Sequence, residues 1–262
     1  MNFIQTIIIS IVEGITEFLP ISSTAHMDIT RAILGIPATP FLKSFEIIIQ
    51  LGAIMAVAVL FARKVFSSWK YIINLIIAFI PTGIIGFILY KLIKSYLLGN
   101  ILIEAGALLI GGIIILIFES RKIAQDKIEN QNERVEDMSV KQLIILGISQ
   151  AIAVIPGVSR SGAVIIAGRS MKISRKLITE FSFLLAVPTM LAATVYDVYK
   201  SGFSFSSSEW GTISIGFVVS FITAFLVIKW LLEYIRKHTF KIFGWYRILI
   251  AIIILAVYFN IF

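Results

Sequence analysis

Apolar runs long enough to cross a lipid bilayer make up most of this chain, and two of them are interrupted by the same unusual material. Residues 13–26 read EGITEFLPISSTAH, and residues 149–164 read SQAIAVIPGVSRSGAV. In each, an apolar run reaches a proline, Pro20 or Pro156. A cluster of hydroxyls with one basic or titratable side chain follows, and then a second apolar run. Ionisable groups are expensive in hydrocarbon, so such a break marks a functional site with its partners close by.

Six uninterrupted stretches, at 44–62, 71–90, 101–118, 177–199, 213–235 and 244–262, are long enough to cross a hydrocarbon core of about 30 Å, which takes about 20 residues. With 58% hydrophobic and only 15% charged residues, and a mean hydropathy of +0.97, the composition lies outside that of ordinary soluble domains. The two interrupted segments are different, because neither arm of either segment is long enough to span alone. A helix that enters, breaks at mid-depth and returns to the same face fits their lengths. Irregular backbone of that kind is tolerated where protein buries it or where it lines a wet cavity. The expected fold is an all-α polytopic membrane protein with six transmembrane helices and two re-entrant helix-loop-helix hairpins.

The distribution of Lys and Arg gives an orientation. Basic residues crowd the connections at 63–70, 119–141, 169–176 and 236–247, including Arg169 and Arg247. The opposite side holds Arg31, Lys43, Lys91, Lys94 and Lys200, and Lys229 and Arg160 fall at membrane depth. The positive-inside bias makes the crowded side cytoplasmic and puts both termini outside. The net charge of +8 then needs no nucleic-acid partner. Each half reads as one hairpin followed by three spans, so the second half must be inverted relative to the first. The first repeat covers 1–118, with its hairpin at 3–34. A cytoplasmic linker of mixed charge covers 119–141, and the second repeat covers 142–262, with its hairpin at 142–170. Inverted repeats bring two broken helices together near the midplane, so the two interruptions become one site.

Glu13 and Glu17 lie four apart, on one face of a helix, where like charges repel. A hard divalent cation, Mg²⁺ or Ca²⁺, which takes oxygen ligands and shares its shell with substrate phosphates, compensates them most simply; a shared proton is the alternative. Ser22, Ser23 and Thr24 follow Pro20 where a helix restarts, as Ser159, Arg160 and Ser161 follow Pro156 and Gly157. Backbone N–H groups at helix N-termini attract anions, and the Arg160 fork suits phosphate oxygens. Together these groups converge on a polyanion, most simply a diphosphate. His26, on the same restarted helix as Ser23, is placed to donate or accept a proton.

Plainer readings stand beside these. A Ser or Thr after Pro is a common N-cap, a lone His is commonly a hydrogen-bonded structural group, and the acid pair could face outside water. Glu46 and Glu180, at loosely corresponding places in the two halves, read as supporting residues beside the site, and Glu104 has no assigned role. Gly83, Gly86, Gly111 and Gly112 read as permitting close helix packing. There is no P-loop and no GxGxxG. With no cysteine, thiol catalysis and Cys-ligated zinc are excluded. The N-terminal run lacks a basic n-region and does not read as a cleaved signal peptide.

Taken together, residues 13–26 and PGVSRSG at 156–162, with FEIIIQLGAI at 45–54 and EFSFLLAVP at 180–188, resemble the undecaprenyl-diphosphate phosphatases of bacteria, the bacitracin-resistance type. The resemblance covers essentially the whole chain. It implies an integral inner-membrane enzyme, a polyprenyl-diphosphate phosphatase, that removes the terminal phosphate of a long-chain isoprenyl diphosphate lipid to regenerate the carrier for cell-wall synthesis, conferring bacitracin resistance. It also implies six spans with two re-entrant hairpins in inverted repeats. Glu13 and Glu17 match its acidic motif and Ser23 and His26 its serine and histidine. Ser159, Arg160 and Ser161 match its phosphate-binding segment. At the position where the family pattern has threonine, this chain has Val164, which suggests a place that tunes binding or packing. The residues alone leave Ser23, His26 and water open as nucleophile, with His26 or Glu17 as activator of the serine. They also leave open homo-oligomerisation, the leaflet to which the site opens (the outer is favoured), and a secondary transporter or flippase for a phosphorylated lipid or anion as the alternative function.

Overall fold

The computed structural model describes residues 1–92, 96, 97, 99–120, 134–201 and 205–259. The linker expected over 119–141 lies, for 121–133, outside the described residues. So do Lys94, Arg121, Lys122 and Lys127 from the charge count, and the last three residues of the final span. The helices are α1 (Phe3–Thr16), α2 (Ser23–Ile33), α3 (Pro40–Phe66), α4 (Trp69–Leu92), α5 (Ile101–Ser120), α6 (Val140–Ile152), α7 (Arg160–Ser170), α8 (Arg175–Ser201), α9 (Ser207–Lys237) and α10 (Lys241–Tyr258). Local chemistry fixes their starts. Asn2 with Gln5, Ser139 with Gln142, and Ser206 with Glu209 form capping boxes at α1, α6 and α9, and Thr39 caps α3 with Pro40 in its first turn.

Six of these helices, α3, α4, α5, α8, α9 and α10, are long and apolar enough to cross a membrane, each overlapping one expected span. The chain is an all-α, multi-pass membrane protein. The remaining four helices have 14, 11, 13 and 11 residues. At about 1.5 Å per residue none reaches across a 30 Å core. Large apolar side chains such as Ile84, Phe87, Ile88, Ile110 and Leu226 point outward. This is the surface expected of a protein whose solvent is lipid tails.

Helices in hydrocarbon gain nothing from hiding apolar surface, so they associate through close packing of small residues. Gly14 on α1 and Gly52 on α3 both lie against Ser220 of α9, where an added Cβ would meet backbone or hydroxyl oxygen. Gly112 on α5 faces the Gly244 carbonyl of α10, and Gly147 on α6 sits on the Ala78 carbonyl of α4. Of the four glycines expected to permit packing, Gly86 and Gly83 do not: nothing lies within 4 Å of the Cβ that Gly86 lacks, and that of Gly83 would meet only the Phe79 ring of its own helix. The principal pairings are α1 on α9, α6 on α4, α3 on α8 and on α9, and α5 on α10. Exchanging the two halves turns the α1–α9 pair into the α6–α4 pair and leaves the α3–α8 and α5–α10 pairs as they are.

The main core gathers Phe18, Leu19 and Ile21 from the α1–α2 break with Ile54, Val57, Phe181, Phe183 and Ile228 from the spans. Burying a break obliges the protein to satisfy its carbonyls internally. Arg247 does this for one carbonyl in each break. Expected on the basic side, it is instead 2% exposed, beside both breaks. Its Nη1 donates to the Pro20 carbonyl (3.1 Å), its Nη2 to those of Gly157 (2.9 Å) and Ala107 (3.0 Å), and its Nε to that of Leu108 (3.3 Å). Gly111 makes room for it, since a Cβ there would fall on the guanidinium. A count by position along the chain does not reveal this burial, which four carbonyl partners inside the bundle compensate. Arg169 is likewise buried, with Nη1 on the Ile173 carbonyl at 2.9 Å.

The Pro20 and Gly157 carbonyls lie outside helices. Each buried group left unpaired costs about 1–3 kcal/mol. Arg247→Met should therefore lower the unfolding free energy by about 2–6 kcal/mol, measured by denaturant titration in detergent.

Candidate active site

The α1–α2 break grows out of the last turn of α1. Glu17 closes that helix with its N–H on the Glu13 carbonyl, the chain turns through Pro20, and Ser22, at φ +72°, leads into α2. The second break runs from Ala153 through Gly157, at φ +87°, to Ser159, which caps α7 by accepting the Gly162 N–H. The two breaks touch. Ser159 Oγ reaches the Leu19 carbonyl at 3.4 Å, and Ser159 and Ser161 hydroxyls lie 3.1 Å apart.

Arg160 and Glu17, 143 positions apart in sequence, meet across this junction, with Arg160 Nη2 3.3 Å from Glu17 Oε1. Arg160 Nη1 donates to the Ser182 carbonyl of α8 at 2.9 Å, and its Nε is buried with no partner. The other oxygen of Glu17 accepts from Ser23 Oγ at 2.6 Å. A serine hydroxyl, a carboxylate and a guanidinium thus form one chain of contacts. All three line a cavity of about 230 Å³ together with Ser22, Thr24, Ser159, Gln50 and Gln150.

The other expected residues stand outside that wall. Glu13 is fully buried in the last turn of α1 with its carboxylate against that of Glu17, and no donor among the described residues reaches either of its oxygens. His26 is occupied on both sides, with Nδ1 2.7 Å from the Ser22 carbonyl and Nε2 2.8 Å from Tyr246 Oη, and the His26 and Tyr246 rings stack at 5.5 Å. Between Ser23 and His26 there is no hydrogen bond; the serine proton is directed at Glu17 alone. Ser161 is fully buried at the foot of α7. The Gly157 carbonyl belongs to Arg247, and its backbone lies so close to α5 that a Cβ would meet the Glu104 carbonyl. Val164 is fully buried in the main core, a packing position. Glu180 pairs with Lys64 of α3, tying α3 to α8, while Glu46 Oε1 is buried without a hydrogen-bond partner among the described residues and the buried Glu104 carboxylate lies against that of Asp28.

A divalent cation can be tested against these groups. Among the described residues no three or more His, Cys, Asp or Glu side chains converge to hold a metal. The buried carboxylate of Glu13 beside that of Glu17 suits either a shared proton or a hard cation, and Mg²⁺ is commonly held by one or two carboxylates with the substrate's phosphates completing its shell. Both oxygens of Glu17 are already engaged, so it could join only by exchanging Arg160 or Ser23.

Sequence reasoning missed Tyr246 and Arg247, which stand side by side inside a span, and Gln150, just before the second break. The pairing of a ring hydroxyl and a guanidinium at membrane depth is the signal that could have marked the first two.

A second, apolar cavity of about 620 Å³ adjoins the first and shares Thr82, Val154, Thr189 and Ala193 with it; Phe79, Ile80, Ile84, Phe87 and Tyr196 line the rest. The site therefore offers a charged, hydroxyl-rich end and an oily extension.

The model of the family described as bacitracin resistance protein BacA matches residues 6–253. Among relatives, the undecaprenyl-diphosphatase of Aquifex aeolicus is 51% identical over 252 residues, 96% of this chain and 97% of the relative. That of Sulfurihydrogenibium sp. is 45% identical over 253 residues, 97% of this chain and 98% of the relative. That of Flavobacterium johnsoniae is 45% identical over 266 residues, 100% of this chain and 98% of the relative. A match of this extent places the chain in the BacA bacitracin resistance family, the family of the undecaprenyl-diphosphatases.

Proposed function

We propose that this protein is a membrane-embedded phosphatase that hydrolyses the terminal phosphate of undecaprenyl diphosphate, returning the monophosphate carrier to cell-wall synthesis and so conferring bacitracin resistance. One observation carries the reading within the family. A serine hydroxyl bonded to a carboxylate, which is itself paired with an arginine, lines a polar cavity that continues into an apolar one. The diphosphate occupies the polar cavity and the isoprenyl chain the apolar one.

Ser23 Oγ attacks the terminal phosphorus while Glu17 takes its proton and passes it to the departing undecaprenyl phosphate. Arg160 and the N-termini of α2 and α7 hold the phosphoryl oxygens as charge redistributes. Water then attacks the phosphoserine, loses a proton to Glu17, and Glu17 returns it to Ser23 as phosphate leaves. The 2.6 Å contact from Ser23 to Glu17 favours serine over direct attack by water, and Glu17 over His26 as activator. His26, held between Tyr246 and the Ser22 carbonyl, fixes the start of α2 and so the aim of Ser23. Ser22, Thr24, Ser159 and Ser161 order the phosphate end of the site. A divalent cation held by Glu13, with Glu17, would supply added neutralisation of the diphosphate.

The setting proposed is a bacterial inner membrane. The α1–α2 and α6–α7 segments are re-entrant hairpins in inverted repeats covering 1–118 and 142–262. Their short helices and the exchange symmetry of helix pairing support this. Both termini and the mouth of the site face outward, as the basic residues on the opposite side suggest.

Purified protein in detergent should release phosphate from a long-chain isoprenyl diphosphate, and release that stops on adding chelator and returns with Mg²⁺ or Ca²⁺ would establish the cation. Arg160→Ala should lower turnover about 10²-fold or more; a twofold loss would remove it from the charge-stabilising role. Acid quenching should trap phosphoserine at position 23, and Ser23→Ala should abolish the label along with most turnover. Near-normal turnover by that variant would leave water as the nucleophile.

A further inference from the structure

Gln150, in the last turn of α6, is 2% exposed and forms part of the polar cavity's wall. Its Nε2 lies 3.2 Å from Thr82 Oγ1 of α4 and 2.8 Å from Thr189 Oγ1 of α8. Each threonine has one hydroxyl proton, and each spends it on a helix carbonyl. Thr82 donates to Gly147 at 2.7 Å and Thr189 to Leu185 at 2.8 Å. Toward Gln150 both hydroxyls can only accept, so the amide must present its NH₂ group to them. Its carbonyl oxygen is left buried and without a partner among the described residues. Turning the amide over would cost both threonines these carbonyl bonds, because each would have to redirect its one proton to the amide oxygen.

An acceptor locked in this way specifies its ligand. Phosphate oxygens are themselves acceptors and are not held by it. A proton donor is, and the donor small enough to share a cavity of about 230 Å³ with a phosphoryl group is water. We infer that Gln150 is a positioning residue whose Oε1 orients the water that attacks phosphorus, an inference that rests on the hydrolase reading. In that step the water oxygen forms the new P–O bond and the P–Oγ bond to Ser23 breaks. One water proton passes by way of Glu17 to Ser23 Oγ, and the other stays on the water oxygen and is donated to Gln150. With that second O–H tied back, the lone pair of the water faces phosphorus. Thr82 and Thr189 act through Gln150 by fixing which way its amide points.

The test is a partition of products. Methanol competes with water for the phosphoenzyme but has no second O–H to be oriented, so losing the Gln150 acceptor penalises water selectively. With methanol present, Gln150→Met should raise the ratio of methyl phosphate to inorganic phosphate roughly threefold or more over the wild type. Its turnover should fall about tenfold with KM little changed. Gln150→Glu, which keeps an acceptor oxygen, should restore the ratio. The Thr82→Val, Thr189→Val double variant keeps Gln150 but frees its amide to rotate, and should shift the ratio in the same direction. It serves in place of Gln150→Met if that variant does not fold. A purely structural Gln150 would lower stability or yield and leave the ratio at the wild-type value, which overturns the inference while phosphate release by the wild type upholds the hydrolase. Absence of any release from the wild type brings down both.

Discussion

Backbone carbonyls freed in the middle of an apolar bundle must find donors inside the protein, and the guanidinium of Arg247 supplies them to both breaks at once. By donating to Pro20 in one break, Gly157 in the other and Ala107 and Leu108 in α5, it sets the two interruptions side by side. Ser159 adds a second tie through the Leu19 carbonyl. A guanidinium suits this post because its donors fan out in a fixed plane. Without such ties the broken segments would have little reason to meet, since lipid offers no hydrophobic force to press them together.

The same constraint builds the site. A break exposes the N-terminus of the helix that follows it, and two breaks held in contact present two such N-termini, at α2 and α7, to one cavity. Unpaired N–H groups in a medium without water favour an anion strongly. Arg160 enters the cavity from the first residue of α7 and is fixed from two directions, by Glu17 and by the Ser182 carbonyl. Its own position is settled before a ligand arrives, which is the condition under which a charge stabilises a transition state without reorganising.

Much of this was legible in the sequence, for physical reasons. Hydrocarbon tolerates so little polarity that the six spans stand out by length alone, and the breaks at Pro20 and Pro156 stand out against them. The convergence of Glu17 and Arg160 followed from reading the two interruptions as halves of one site, brought together by inverted repeats. Other features were not legible because they depend on which atoms face each other. Arg247 counts as a surface cation until its four carbonyls are known, and the sequence does not reveal that Tyr246 and the Ser22 carbonyl lie on the two nitrogens of His26. Gly86 looked like its neighbours, yet nothing packs on it, whereas Gly111 proved to make room for an arginine. Glutamine 150 carries no charge, and nothing in its surroundings along the chain reveals that two threonines from other helices dictate its orientation.

Broken helices meeting at the centre of a bundle are also used by carriers, and the difference lies in what must move. A carrier works by rocking one repeat against the other around a fixed site. Here Arg247, Ser159 and Arg160 bind the second half of the chain directly to the first break or its acid. Lys64 and Glu180 lock α3 to α8 besides. Rocking the halves would break these contacts together, and each buried partner lost is costly. A rigid junction of this kind is poorly suited to alternating access and well suited to holding a nucleophile, a base and a cationic fork in register. That favours chemistry at the junction over passage through it.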